Sequence, residues 1–387
     1  MNALNLLKSR KEIYCILSSL YLILSIVAYN KYGVKVVIDS GRYLLSSENV
    51  YDLIVNQGHN FWYLGYILFL SLLRSIFDHL LFVVFIQYLI SFCSIFLLFE
   101  SIFIITKQYK ISTILTLIYL FNFEIVSWNS YILCESLYIS SVIVLIYLFL
   151  LLYQKRSRFR YFLCFTGSMY VAFIKPTGVS IIISLIFLCL MILMKYKVYR
   201  KYIYILVPFL GIGIVFLIKY MLLTFEIPSD YIKGDIVYNI SGYPSVLAEY
   251  PYLQLKPNST LVLNKVGDDT FWETLQFINH NFTFWFKLFL TKIFFFLAHV
   301  RPYWSLAHNL NSIIILLPLY SMLLVAGVKG KLNNIISKIL LIFVLCHVLI
   351  VGCSVVDWDG RFLMPIYPVL FLLLSFYWKK PQKLSIH

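Results

Sequence analysis

Ten long apolar segments decide what this chain can become. They cover residues 13–29, 80–105, 111–128, 132–153, 159–175, 178–194, 202–225, 311–328, 337–356 and 362–378. A helix needs about 20 apolar residues to cross a bilayer, because inside the hydrocarbon every backbone polar group must be satisfied within the segment. Only 13% of the 387 residues are charged and 61% are hydrophobic, against roughly 25% charged in soluble domains. The expected fold class is all-α. It is a polytopic membrane helix bundle with about ten transmembrane helices, forming a single integral membrane domain over residues 1–387.

A net charge of +15 would suit a nucleic-acid binder if the basic residues formed one patch. They do not. They cluster at the ends of apolar segments, the arrangement that sets membrane topology. With the N-terminus inside, Lys8/Arg10/Lys11, Lys107/Lys110, Lys155/Arg156/Arg158/Arg160, Lys195/Lys197/Arg200/Lys201, Lys329/Lys331/Lys338 and Lys379/Lys380/Lys383 all become cytoplasmic. These are more than half of the 32 basic residues, whereas of the 17 acidic residues only Glu12 joins them. Glu100 lies within a span. Nucleic acid is not an expected partner; membrane lipids are. Both termini are expected in the cytoplasm.

Two shorter apolar runs, 61–77 and 284–300, are interrupted by Arg74, Lys287 and Lys292. They read as interfacial or re-entrant helices. A span at 284–300 would move the Lys329 cluster outside and break the charge pattern. The outer side then holds a first loop, 30–79, with interfacial helices, and a large loop, 226–310, with one more. The stretch 226–283 carries Pro228, Pro244, Pro251 and Pro257 and reads as an ordered loop. Asn239-Ile-Ser, Asn258-Ser-Thr and Asn281-Phe-Thr match glycosylation sequons, which an Asn-rich chain produces by chance. The seven cysteines show no CxxC or metal-ligand spacing, so no disulfide framework is expected. No small-x-small site follows the first apolar run, which reads as an uncleaved span.

Charged groups at a membrane face are costly and need a reason. Asp39 lies just beyond the first span, in Ile38-Asp39-Ser40-Gly41-Arg42-Tyr43-Leu44. A carboxylate with few cationic neighbours in a partly dry cavity can act as general base on an acceptor hydroxyl; the plain alternative is a solvated loop aspartate. Glu135 opens the fourth span, on the same outer side. It could favour the helix dipole, orient the acceptor, or share a divalent cation, Mg2+ or Mn2+, with Asp39. Glu124 competes for that role. Lys175, in Phe173-Ile174-Lys175-Pro176-Thr177-Gly178, runs against the positive-inside trend. It reads either as a cation for a lipid phosphate or as a snorkelling lysine. Arg361, in Asp357-Trp358-Asp359-Gly360-Arg361-Phe362, could bind a phosphate in bidentate fashion. His59 and Arg301 are weaker candidates for the same donor-phosphate role.

The ordered set of these motifs resembles the GT-C superfamily of integral membrane glycosyltransferases. It is similar to the bacterial relatives of the dolichyl-phosphate-mannose protein mannosyltransferases and to the lipid A aminoarabinose transferases. Asp39-Ser40-Gly41-Arg42-Tyr43 resembles the family's Asp-Ser-x-x-Tyr. Tyr63-Leu64-Gly65-Tyr66-Ile67-Leu68-Phe69-Leu70 resembles Tyr-Pro-x-Gly-Tyr-Pro-Leu-Phe-Leu, here without the prolines. Glu135-Ser136-Leu137 matches Thr-Glu-Ser-Leu after its first position, and Lys175-Pro176-Thr177-Gly178 matches Arg-Pro-Thr-Gly with Lys for Arg. Gly360-Arg361-Phe362-Leu363-Met364-Pro365 resembles Arg-Tyr-x-x-Pro. The resemblance implies a GT-C fold, Asp39 as catalytic base, a polyprenyl-phosphate sugar donor and inversion at the anomeric carbon. The acceptor would be a lipid, a lipid-linked glycan or a protein, at the outer face of a bacterial inner membrane. A polysaccharide polymerase or ligase and a lipid-linked glycan flippase are the rival readings. A flippase would call for mid-bilayer charges and an internal repeat; only Glu100 and Lys219 approach the first, and no repeat is visible.

Overall fold

The computed structural model describes residues 9–56, 58–195, 200–224, 227–257, 260–262 and 270–379. Lys8, Lys197, Lys380, Lys383 and the sequon residue Asn258 lie outside them. Among the described residues the chain is helical, with isolated β-bridges and no strand. It divides into two compact units. The first holds Met1–Ile182, Ile315–Val344 and Met364–His387; the second holds Ile183–Ile314 and Leu345–Leu363.

Among the described residues, five helices are long and apolar enough to cross a membrane: α1 (Arg10–Tyr32), α5 (Leu80–Thr106), α8 (Cys134–Gln154), α16 (Leu306–Val328) and α17 (Ile335–Cys353). Two bent pairs raise the number to seven if each counts as one span. The first is α6 (Tyr109–Phe121) with Phe123–Ser130, bent by 66°; the second is α14 (Thr270–His280) with α15 (Phe282–Ala298), bent by 103°. Shorter apolar helices cover Pro176–Met191, Val207–Leu222 and Tyr367–Trp378. On α1, Leu22, Ile23 and Ile26 are 54%, 59% and 60% exposed. An apolar stripe left open on a helix of this length suits lipid. The protein is an integral membrane protein with several spanning helices.

Local chemistry sets the breaks. α1 begins at a reciprocal cap, in which the Ser9 hydroxyl accepts from the Glu12 amide and the Glu12 carboxylate accepts from the Ser9 amide. It ends at Gly33, whose φ of +60° carries no side-chain penalty. At the first bend the Asn122 side chain accepts from the Glu124 amide at 3.2 Å and opens α7 (Phe123–Ser127). At the second, the Asn281 amide donates to the carbonyls of Phe277 and Val262 and accepts from the Val262 amide. Its sequon asparagine is therefore a structural part of the bend.

In the first unit, α5 packs against α6 and α8, α8 against α9 (Arg158–Ala172), and α1 against α7. α18 (Tyr367–Ser375) packs on α5, α6 and α8. Beyond α1 come α2 (Ile38–Glu48), α3 (Val50–Asn56) and α4 (Leu64–Ile76). At 13 residues α4 is about 20 Å long, too short for a core of about 30 Å. Arg74 explains why it lies on α2: its guanidinium donates to the Leu44 carbonyl and the Ser47 hydroxyl and pairs with Glu48 and Asp78.

The second unit contains α11 (Arg200–Thr224), α12 (Ile227–Lys233), α13 (Pro244–Glu249), α14 and α15. Its core gathers Tyr231, Ile236, Phe277 and Leu288, beside a smaller cluster of Val237, Ile240 and Leu253. Lys292 is fully buried there, donating to the Ser354 carbonyl at 2.6 Å and lying over the Tyr231 ring. Asn239 turns the chain at φ +51°, a conformation asparagine tolerates.

Candidate functional site

Asp39 sits in the first turn of α2, where a carboxylate favours the helix dipole. The Ser40 hydroxyl accepts from the Val37 amide and closes that turn at 3.0 Å. Three residues on, Arg42 reaches back, with Nε 3.2 Å and Nη2 3.1 Å from Asp39 Oδ1. Each side chain is 27% exposed, so the carboxylate is reachable from solvent while held in one orientation. Arg42 also donates to Asn60 Oδ1 at 3.2 Å, and Asn60 donates to Ser46 Oγ at 2.9 Å. Its guanidinium lies over the Tyr43 and Tyr63 rings at 4.9 and 4.8 Å.

Those rings lead inward. Tyr43 packs on Tyr63 at 5.0 Å and edge-on against Tyr66 at 5.5 Å. Burial pushes the Tyr43 phenol well above its ordinary pKa, so it stays protonated. The nearby Cys134 thiol and Glu135 carboxylate act electrostatically in the same direction. Tyr66 donates to Gln87, and Gln87 donates to the carbonyls of Asn129 and Tyr131 at 2.9 Å each. The loop that delivers Glu135 is thus tied to α4 and α5. It is also tied to the chain entering α2: the Lys35 amide donates to the Ser130 carbonyl, and the Ile132 amide to the Lys35 carbonyl, at 2.9 and 3.0 Å.

Glu135 and Lys175 come together. Lys175 Nζ lies 2.8 Å from Glu135 Oε1, and each side chain is only 2% exposed. The Cys134 thiol donates to the other carboxylate oxygen at 3.6 Å. Lys175 therefore does not snorkel. A buried ion pair accounts for a lysine at this turn.

The turn that presents Lys175 depends on its sequence. Lys175 is extended, Pro176 starts a helical turn, and the Gly178 amide donates to the Lys175 carbonyl at 2.8 Å. A Cβ at Gly178 would fall 2.5 Å from the Ala172 carbonyl oxygen. Gly178→Ala is therefore expected to displace the Lys175 turn and lower thermal stability in detergent by about 1–3 kcal/mol; an unchanged melting curve would count against this packing. Gly65 works similarly, its amide donating to the Phe173 carbonyl at 2.7 Å, with Ile174 and Tyr170 against its α-carbon.

No protein-family model matches this chain, and no curated protein or solved structure is significantly similar to it. The chemistry of the site rests on its own side chains.

Glu124 occupies the first turn of α7, and His59 is exposed and stacked on Tyr63 at 5.8 Å. Arg301 and Arg361 belong to the second unit. Arg301 is 1% exposed and donates to the carbonyls of Phe295, Val300 and Asp357, which makes it a strut for three backbone segments. Arg361 keeps a partly exposed guanidinium 3.5 Å from Asp359. Asp39 and Glu135 each already face a cation, Arg42 and Lys175, so together they make a poor divalent-metal pair. Sequence reasoning passed over Arg42, Asn60 and Gln87. The i, i+3 spacing of Asp39 and Arg42 was the available signal for the first; the other two join elements far apart in the chain.

Proposed function

We propose that this protein is a membrane glycosyltransferase of GT-C type, moving a sugar from a polyprenyl-phosphate donor to a hydroxyl-bearing acceptor with inversion. In this reading ten helical passes put both termini in the cytoplasm and the site on the outer face of a bacterial inner membrane. The acceptor is a lipid, a lipid-linked glycan or a protein. Asp39 removes the acceptor proton as the oxygen attacks the anomeric carbon, and the polyprenyl phosphate leaves. The observation that carries the reading is the setting of Asp39. It is a half-buried carboxylate just beyond the first span, oriented by Arg42 and backed by a buried tyrosine wall. Arg42 and the tyrosines hold that carboxylate in one orientation, although Arg42 is a close cationic neighbour that the sequence did not lead one to expect.

The Glu135–Lys175 pair forms the buried floor, joining two outer turns rather than binding metal or phosphate directly. Of the two candidate arginines, Arg361 has the exposure to meet a phosphate, whereas Arg301 is occupied by carbonyls. The test is a transfer assay in native membranes with a panel of polyprenyl-phosphate sugars. One donor is expected to be consumed with release of polyprenyl phosphate, at an unchanged rate in EDTA. Translocation of a lipid-linked glycan without any donor cleavage would refute the reading.

A further inference from the structure

The first unit holds a cleft of about 770 Å³, lined along α2, α3 and the turn at 58–60, with Arg42, the ion-pair partner of Asp39, in its wall. That volume falls within the range of small-molecule sites, about 300–1,000 Å³. Arg42, Ser46 and Asn49 line it and follow Asp39 at intervals of three and four residues. Residues so spaced share one helical face, so the cleft runs along the side of α2 that Asp39 begins. The opposite wall supplies Asp52, Asn56 and Asn60.

We infer that this cleft is the acceptor subsite and takes an uncharged sugar unit, an assignment that rests on the transferase reading above. The first argument is functional-group content. Amides, a hydroxyl and carboxylates offer the mixed donors and acceptors that sugar hydroxyls require. The second is preorganisation. Arg42 holds Asn60, Asn60 holds Ser46, Asn49 accepts from the Asp52 amide at 3.1 Å, and Asn56 donates to Asp52 at 2.6 Å. Side chains fixed by one another lose less entropy when they bind. The third is charge. Asp52 lines the cleft beside Glu48, which pairs with Arg74, and its arginine is already bound to Asp39 and Asn60, so a phosphate would meet the Asp52 carboxylate. The cleft thereby separates a neutral acceptor from the anionic donor.

The experiment uses full-length protein in nanodiscs on an array of neutral, phosphorylated and sulfated glycans. The wild type and Asp39→Asn should capture the same subset of neutral glycans. Asn49→Ala and Asn56→Ala, at the exposed rim, should each weaken capture roughly tenfold for the hydrogen bonds lost. Capture of only phosphorylated or sulfated glycans, capture of none, or capture indifferent to both rim variants overturns the subsite. Absence of any donor cleavage by the wild type, with glycan capture still sensitive to the rim, would sink the transferase reading and leave the sugar cleft standing.

Discussion

Asp39→Asn is expected to lower sugar transfer by at least about 10²-fold, the low end of what a general base contributes, while the chain still inserts and folds. Asparagine keeps the shape and can still accept from Arg42, so the 3.1 and 3.2 Å contacts of the arginine have a partner in the variant. What it loses is the ability to take a proton. The measurement is release of polyprenyl phosphate by wild-type and variant membranes carrying equal amounts of protein. Arg42→Lys separates positioning from chemistry. A lysine keeps the charge but cannot span Asp39, Asn60 and two rings with one planar fork. Its transfer should fall less than that of Asp39→Asn. Wild-type turnover in Asp39→Asn would remove the base from the mechanism.

The second large effect concerns the floor. Lys175→Met leaves the Glu135 carboxylate 1% exposed with its cation gone, and Glu135→Gln does the converse to Lys175. Breaking one side of a buried pair costs about 3–5 kcal/mol, whereas replacing both with neutral groups is often close to neutral. Each single variant should therefore unfold well before the wild type in detergent, and the double variant Glu135→Gln with Lys175→Met should recover most of the loss. Equal stability in all four proteins would show that the pair holds nothing together. A recovered but inactive double variant would show that the site uses the charges as well as the fold.

The helices were legible because lipid demands long apolar runs, and α1, α5, α8, α16 and α17 overlap the segments expected from composition. The breaks were not, since a polar residue such as Asn122 inside the run 111–128, or Asn281 just ahead of the run 284–300, acts through hydrogen bonds made only after folding. The site was legible in part. Asp39 and Glu135 stood out as carboxylates near helix starts. Lys175 stood out as a charge on the wrong side. That Glu135 and Lys175 satisfy each other could not be read from residues 40 apart. Arg301 misled because sequence cannot distinguish a guanidinium offered to a ligand from one that fastens Phe295, Val300 and Asp357.

The two backbone bonds through Lys35 restrict how the candidate site can open. They join the entry to α2 and the turn before α8 through main-chain atoms alone. Side-chain substitution can drift at either place without loosening the seam, and the chain leading to Asp39 cannot swing away from the turn before Glu135 without tearing it. On the proposed reading, a bulky lipid donor would have to be admitted elsewhere around the rim. The seam works as a fixed hinge plate, and any door lies on another side.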